Sequence, residues 1–327
     1  MIVDSPFRPP PWLRSPHAQT LWGAVARRAP ELALDWEVVE LPDGDVVEVA
    51  WVARGRAPDD DPTRPTALLL HGLTGSVDSA HVRGLLSALT AAGWRAGCFH
   101  FRGCGRGPNR TATGYHSGQS GDPRHVLQRL RARWPRAPLA AIGFSLGANV
   151  LLKLLGEDGE AAPVDLAVAV SPPLVLNLCA DRMERGLSRG YQRHLVRKLV
   201  EYVRAKPAAM AAVDPTALAR VRTFRDFDDL VTAPLHGFAS ADDYYRRCSS
   251  RPFLPHVAVP TLVIHALDDP FFQPEVVPRP DELPPPVRFE LSRRGGHVGF
   301  VEGKGRYYVD RRVPKWLSAV SGQRSAC

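Results

Sequence analysis

The chain has 327 residues, 44% of them hydrophobic and 23% charged, which is long enough for one large α/β domain with an insertion or for two modest domains and excludes wholesale disorder. Its net charge of +8 raises the question of a nucleic-acid partner. The excess is arginine scattered among alanine and proline, however, and no basic run of five occurs, so the charge reads as a solvated surface.

The first 33 residues read as an N-terminal extension. The opening MIVDSPFRPPPWLRSP has no apolar stretch of signal-peptide length and carries four prolines in its first twelve residues. The five cysteines, Cys98, Cys104, Cys179, Cys248 and Cys327, form no C-x-x-C pair, which points to a reducing compartment. Cytoplasmic residence without stable membrane insertion is expected.

Residues 34–53 alternate apolar and polar about Pro42-Asp43-Gly44-Asp45, the pattern of an antiparallel hairpin. From residue 66 short apolar runs alternate with helical patterns: ALLLHG (67–72), SAHVRGLLSALTAAG (79–93), WRAGCFHF (94–101) and HVLQRLRARW (125–134). PLAAIGF (138–144), a helix from Leu146 and VDLAVAV (164–170) continue the series. A mostly parallel sheet with helices on both faces follows. The stretch Leu139 to Gly156 is apolar over about a membrane span, but its internal glycines, Asn149 and Lys153 make it a strand, a turn and a helix.

After Ser171-Pro172-Pro173 no strand pattern appears until VAVPTLVIHA (257–266), so residues 172–255 read as an inserted helical cap. Arg182 to Arg204 fits an amphipathic helix within it. Leu174, Val175, Leu176 and Leu178 read as cap core, with an acyl pocket lining as the alternative. VRFELS (287–292) resumes the sheet, and RVPKWLSAV closes the chain as a helix with Pro314 in its first turn.

The sharpest chemical signal is Gly143-Phe144-Ser145-Leu146-Gly147, a G-x-S-x-G between an apolar strand and a helix. A serine on such a turn stands clear of the backbone, and the helix behind it turns amides toward developing negative charge. A serine hydroxyl needs a base, normally a histidine held by a carboxylate. His297, in Gly295-Gly296-His297-Val298-Gly299-Phe300, follows the last strand. The acid lies at Asp268-Asp269 after LVIHA; the small residue at Ala266 selects Asp269, with Asp268 as the alternative after a one-residue shift. The oxyanion donors expected are the amides of Leu73, in His71-Gly72-Leu73-Thr74-Gly75-Ser76, and Leu146, with Thr74 the nearest competitor to Leu73. His71 reads as structural.

Phe101-Arg102-Gly103-Cys104-Gly105-Arg106-Gly107 lacks both G-K-[ST] and the dinucleotide spacing, so it reads as a packed loop. Neither H-E-x-x-H nor another metal-ligand spacing appears, and no metal or cofactor is expected.

With these residues the chain resembles the YheT-like branch of the α/β-hydrolases, related to yeast medium-chain ethyl-ester enzymes and mammalian abhydrolase-domain lipid hydrolases. The resemblance runs from SPHAQT (15–20) and LPDGD (41–45) through HGLTGS, HFRGCGRGPNR and YHSG to GFSLGANV, FDDLVTAPLHGF, DYYRRCS, PTLVIHALDDPF and GGHVGF. Gly121 stands where an acidic residue would be expected before Asp122. The expected fold is the α/β-hydrolase fold, a mostly parallel eight-stranded sheet with a helical cap, as one domain over 1–327. The resemblance implies cofactor-free hydrolysis of short- to medium-chain acyl esters, and places nucleophile, base and acid on Ser145, His297 and the Asp268-Asp269 pair. The expected partner is a small ester, with a monomer sufficient and no nucleic acid involved. Acyl transfer to an alcohol and lipid acyl hydrolysis are the alternatives. A non-catalytic binding role would leave the combination of serine, histidine, acid and oxyanion loop without a purpose.

Overall fold

The computed structural model describes residues 1–53, 61–303 and 305–324; Cys327 lies outside them. Its main sheet is built from β1 (Ile2–Asp4), β2 (Leu34–Glu40), β3 (Val46–Val52), β4 (Thr66–Leu70), β5 (Arg95–His100), β6 (Leu139–Phe144), β7 (Leu166–Val170), β8 (Thr261–Ala266) and β9 (Val287–Ser292). The order across the sheet is β1-β9-β8-β7-β6-β4-β5-β3-β2. β3 runs antiparallel to both β2 and β5, and every other pairing is parallel.

The sheet thus has nine strands where eight were expected. The extra one is β1, which pairs in parallel with the β9 edge, Val3 opposite Glu290. Three residues just before a proline-rich stretch are too few to show a strand's periodicity. The 34–53 hairpin forms as expected, with Gly44 at φ +80° and the Leu41 amide bonded to the Asp45 carbonyl at 2.9 Å.

All residues of β4 through β8 are buried, and successive side chains feed opposite faces. Leu68 and Leu70 join Phe99, Ala141 and Val263 in one core. Ala67 and Leu69 join Cys98, Ile142 and Ile264 in the other. This two-faced burial explains why these strands read as continuous apolar runs.

The helices are α1 (Pro16–Val25), α2 (Ala80–Ala91), α3 (Gly121–Arg133), α4 (Leu146–Asp158), α5 (Leu176–Met183), α6 (Ser188–Arg204), α7 (Pro207–Ala212), α8 (Pro215–Arg220), α9 (Phe224–Phe227), α10 (Ala233–His236), α11 (Ala241–Cys248) and α12 (Tyr308–Arg324). Residues of α3 and α4 complete the first core, those of α2 and α12 the second. α1 starts cleanly, with Pro16 in its first turn and the Ser15 hydroxyl accepting from the Ala18 amide, as a capping residue should.

Two boundaries differ from the sequence pattern. α3 begins at Gly121, ahead of its apolar periodicity, because Asp122 in its first turn accepts a bidentate pair from Arg102 at 2.7 and 2.8 Å. Pro314 lies inside α12, not in its first turn. The helix starts at the fully buried Tyr308, whose hydroxyl donates to Glu290 at 2.8 Å; Pro314 then removes one interior amide donor.

Helices α5 through α11 fill the connection between β7 and β8. They carry their own apolar cluster, including Val196, Leu199, Val203 and Val231, and Leu73 packs against it. The insertion therefore sits over the loop after β4. Leu174 is fully buried in the main core, whereas Leu176 faces a cavity beside Ser145. Among the described residues no helix is long and apolar enough to cross a membrane.

Candidate active site

Ser145 sits between β6 and α4 at φ 51°, ψ −117°, a conformation that costs a non-glycine residue about 1–3 kcal/mol. The turn persists because both flanks are crowded. A Cβ on Gly143 would lie 2.5 Å from the Ala148 Cα, and one on Gly147 would press into the Leu70 carbonyl oxygen. The Ser145 amide is tied to the Val170 carbonyl at 2.9 Å.

His297 reaches this serine from the loop after β9, its Nε2 standing 2.9 Å from Ser145 Oγ and its Nδ1 2.8 Å from Asp269 Oδ2. A carboxylate can only accept, so Nδ1 carries the proton and Nε2 is the acceptor for the serine hydroxyl. Asp269 is 4% exposed and His297 9%. Phe271 stacks on the imidazole at 4.0 Å and 8°, and Phe272 meets it edge-on, which fixes the ring plane.

The adjacent aspartates point to different partners. Asp269 closes a turn onto the Ala266 carbonyl and accepts from the Phe271 amide at 2.8 Å. Asp268 instead accepts from the Gly296 amide at 3.0 Å and so holds the loop that carries His297. Burial raises the Asp268 pKa.

Leu73, Ser145 and Leu146 line one cavity. Among the described residues neither the Leu73 nor the Leu146 amide has an acceptor. Thr74, at φ 55°, donates its amide to the Tyr115 hydroxyl at 2.9 Å and is therefore engaged elsewhere. His71 accepts from the Phe101 amide at Nε2 and donates from Nδ1 to the Gly72 carbonyl at 2.7 Å. Burial brings its pKa down to about 3, so it is a neutral brace beneath the loop.

The glycine-rich loop after β5 is a scaffold. Arg102 bridges Asp43, Asp45 and Asp122, and the Tyr202 hydroxyl of α6 donates to its carbonyl at 2.6 Å. Burial would raise the Asp45 pKa, but hydrogen bonds from Thr111, Asn109 and the amides of Val46 and Arg110 bring it down to about 2.

Several residues that hold this geometry carry no catalytic signature. Thr20 of α1 accepts from the His297 amide at 2.9 Å. Gln19 accepts from the Val301 amide at 2.7 Å and donates to the carbonyls of Leu13 and Val301. Ser171, just after β7, accepts from the Val298 amide at 3.1 Å. The segment read as a plain extension thus clamps the His297 loop, and only its place within the SPHAQT motif marks it.

The sheet order, the serine turn and the loop placements define a class. A model described as the alpha/beta hydrolase fold matches residues 65–304, and the chain belongs to that family. It is 43% identical over 308 residues to "Putative esterase YheT" of Escherichia coli (strain K12), covering 92% of this chain and 90% of that one. The YheT-like resemblance carried by the motifs therefore holds. Phospholipase ABHD3 of Homo sapiens is 27% identical over 327 residues, covering 98% and 80%. The solved Pyrococcus furiosus esterase Pf2001 overlaps 97% of this chain and 99% of its own with a TM-score of 0.57 at 17% identity, a likeness of fold alone.

Proposed function

We propose that this protein is a serine hydrolase that cleaves carboxylic esters of short- to medium-chain acyl groups. The observation that carries the proposal is the continuous hydrogen-bond chain Asp269–His297–Ser145 at the wall of a mainly apolar cavity. Similarity to a protein named as an esterase and to a phospholipase supports an ester substrate.

In this reading His297 Nε2 takes the Ser145 proton as Oγ attacks the ester carbonyl. The Leu73 and Leu146 amides then receive the oxyanion. The tetrahedral intermediate collapses, the C–O bond to the alcohol breaks, and His297 returns its proton to the departing oxygen. Water, giving a proton to His297, attacks the acyl-enzyme; the bond from the acyl carbon to Ser145 Oγ breaks, Oγ takes the proton back from His297, and the acid leaves. Asp269 holds the imidazole in the required tautomer and stabilises its cation.

The same reading makes the chain one hydrolase domain, with residues 1–33 as an extension that steadies His297 and 172–255 as a cap that selects the acyl group. The protein works on small esters in the cytoplasm; the four described cysteines are free, in keeping with a reducing compartment. Ser145→Ala is expected to abolish turnover of p-nitrophenyl esters and labelling by a fluorophosphonate. Wild-type turnover should peak within an acetyl-to-dodecanoyl series. Full activity of the alanine variant would overturn the proposal.

A further inference from the structure

The cavity beside Ser145 is walled mostly by apolar side chains of the insertion, among them Leu176, Met183, Leu199, Phe224 and Phe227. One stretch of that wall is polar. Between α9 and α10 the chain widens into a π-helical turn, Asp228–Thr232, a distortion common at functional sites. Asp228 begins it. Its Oδ1 accepts from the Thr232 hydroxyl and its Oδ2 from the Tyr245 hydroxyl, both at 2.7 Å, and all three residues line the cavity.

Asp228 is half-buried and contributes to the cavity wall. Burying a carboxyl group among apolar side chains costs several kcal/mol unless its hydrogen bonds are made. Phe, Leu and Val in place of this trio would fill the same wall without that cost, so stability does not explain it.

We propose that Asp228, supported by Thr232 and Tyr245, is a subsite for a hydroxyl group of the ester substrate, making hydroxyl-bearing esters the preferred substrates. This rests on the esterase reading above. Each Asp228 oxygen already accepts once and retains capacity for a further bond, so the subsite can take a donor. Burial brings the Asp228 carboxyl up to about 7, which lets it accept or donate. A neutral hydroxyl, itself both donor and acceptor, matches either state. Arg225 and Asp229, the charged groups that act on Asp228, do so in opposite directions.

The hydroxyl can belong to the alcohol or to the acyl chain, and two matched pairs separate these sources. 1-Monooctanoylglycerol is compared with propyl octanoate, and p-nitrophenyl hydroxyoctanoates with p-nitrophenyl octanoate, each as a ratio of kcat/KM within one enzyme. The wild type is expected to favour the hydroxyl partner of at least one pair by roughly tenfold or more, since a site built to bind a hydroxyl discriminates against its absence. Asp228→Leu should bring that ratio to near one, and Asp228→Asn, which keeps an acceptor, should restore much of it. Tyr245→Phe should lower the ratio too, and serves if the leucine variant does not fold. Equal wild-type rates within both pairs, or a ratio that survives Asp228→Leu, would overturn the subsite while leaving the esterase intact. No turnover of any ester would overturn both.

Discussion

Tyr115→Phe tests whether the proposed oxyanion loop is held in place by the Tyr115 hydroxyl. The change removes one oxygen from a ring that stacks on Phe101 and meets His71 and Tyr202 edge-on, so packing is preserved. What is lost is the acceptor for the Thr74 amide, next to Leu73, together with a hydrogen bond to the Cys104 thiol. Leaving a partly buried amide without its partner costs about 1–2 kcal/mol. At 1.36 kcal/mol per tenfold, that predicts a fall in kcat of about 5- to 30-fold if the strain relaxes into the loop. The loss must stay below the roughly 100- to 1,000-fold of deleting an oxyanion donor outright. Steady-state kinetics on p-nitrophenyl butyrate should show kcat falling with little change in KM, because the loop acts on the transition state. Tyr202→Phe, which loses the bonds to the Arg102 carbonyl and from the Lys206 ammonium but none to the loop after β4, is the control. A Tyr115→Phe kcat within twofold of wild type, or a change confined to KM, would refute the reasoning.

Gln19→Leu deletes three buried hydrogen bonds, two joining α1 to Val301 after His297 and one to the Leu13 carbonyl; denaturant unfolding should show a loss of about 2–4 kcal/mol. Thr20→Val leaves the His297 amide without its acceptor and should lower kcat about 3- to 20-fold at unchanged fold, read by kinetics beside circular dichroism. Asp45 has a folded pKa of about 2, below its unfolded value. Its contribution is therefore complete above about pH 4 and is lost as pH falls toward 2, so Asp45→Asn should flatten acid unfolding in that window by roughly 2 kcal/mol. Gly147→Ala drives a methyl into the Leu70 carbonyl oxygen and should give insoluble or heat-labile protein, measured by the soluble fraction and melting temperature.

The parallel strands were legible because burial on both faces turns them into apolar runs, and G-x-S-x-G stood out because its neighbours were a strand and a helix. The choice between Asp268 and Asp269 was a matter of turn geometry. A turn from the Ala266 carbonyl to the Asp269 amide sends the two side chains to His297 and to Gly296, and no composition rule encodes that split. β1 was hidden for a different reason: three residues carry no periodicity, and the partner strand lies at the other end of the chain. Thr20, Gln19 and Tyr115 were illegible because they act through backbone amides, which any sequence supplies.

Backbone strain connects these hidden residues to the site. Among the described residues, five non-glycine positions have positive φ, namely Thr74, Ser145, Ser171, Val298 and Phe300. All lie on the loops that meet at Ser145 and His297. At about 1–3 kcal/mol each, their summed strain of roughly 5–15 kcal/mol rivals the net stability of a whole domain, so the surroundings must over-determine every one. They do so amide by amide: Thr74 to Tyr115, Ser145 to Val170, Ser171 to Ile264, Phe300 to Gly295, and Val298 to the hydroxyl of Ser171. Ser171 is thus both strained and an anchor, which couples the loop after β7 to the one bearing His297. Gln19 and Thr20 bind the same loop from outside. In the proposed mechanism the functional unit is therefore larger than a serine, a histidine and an aspartate, because releasing an anchor is expected to let a strained residue relax and shift the reacting groups.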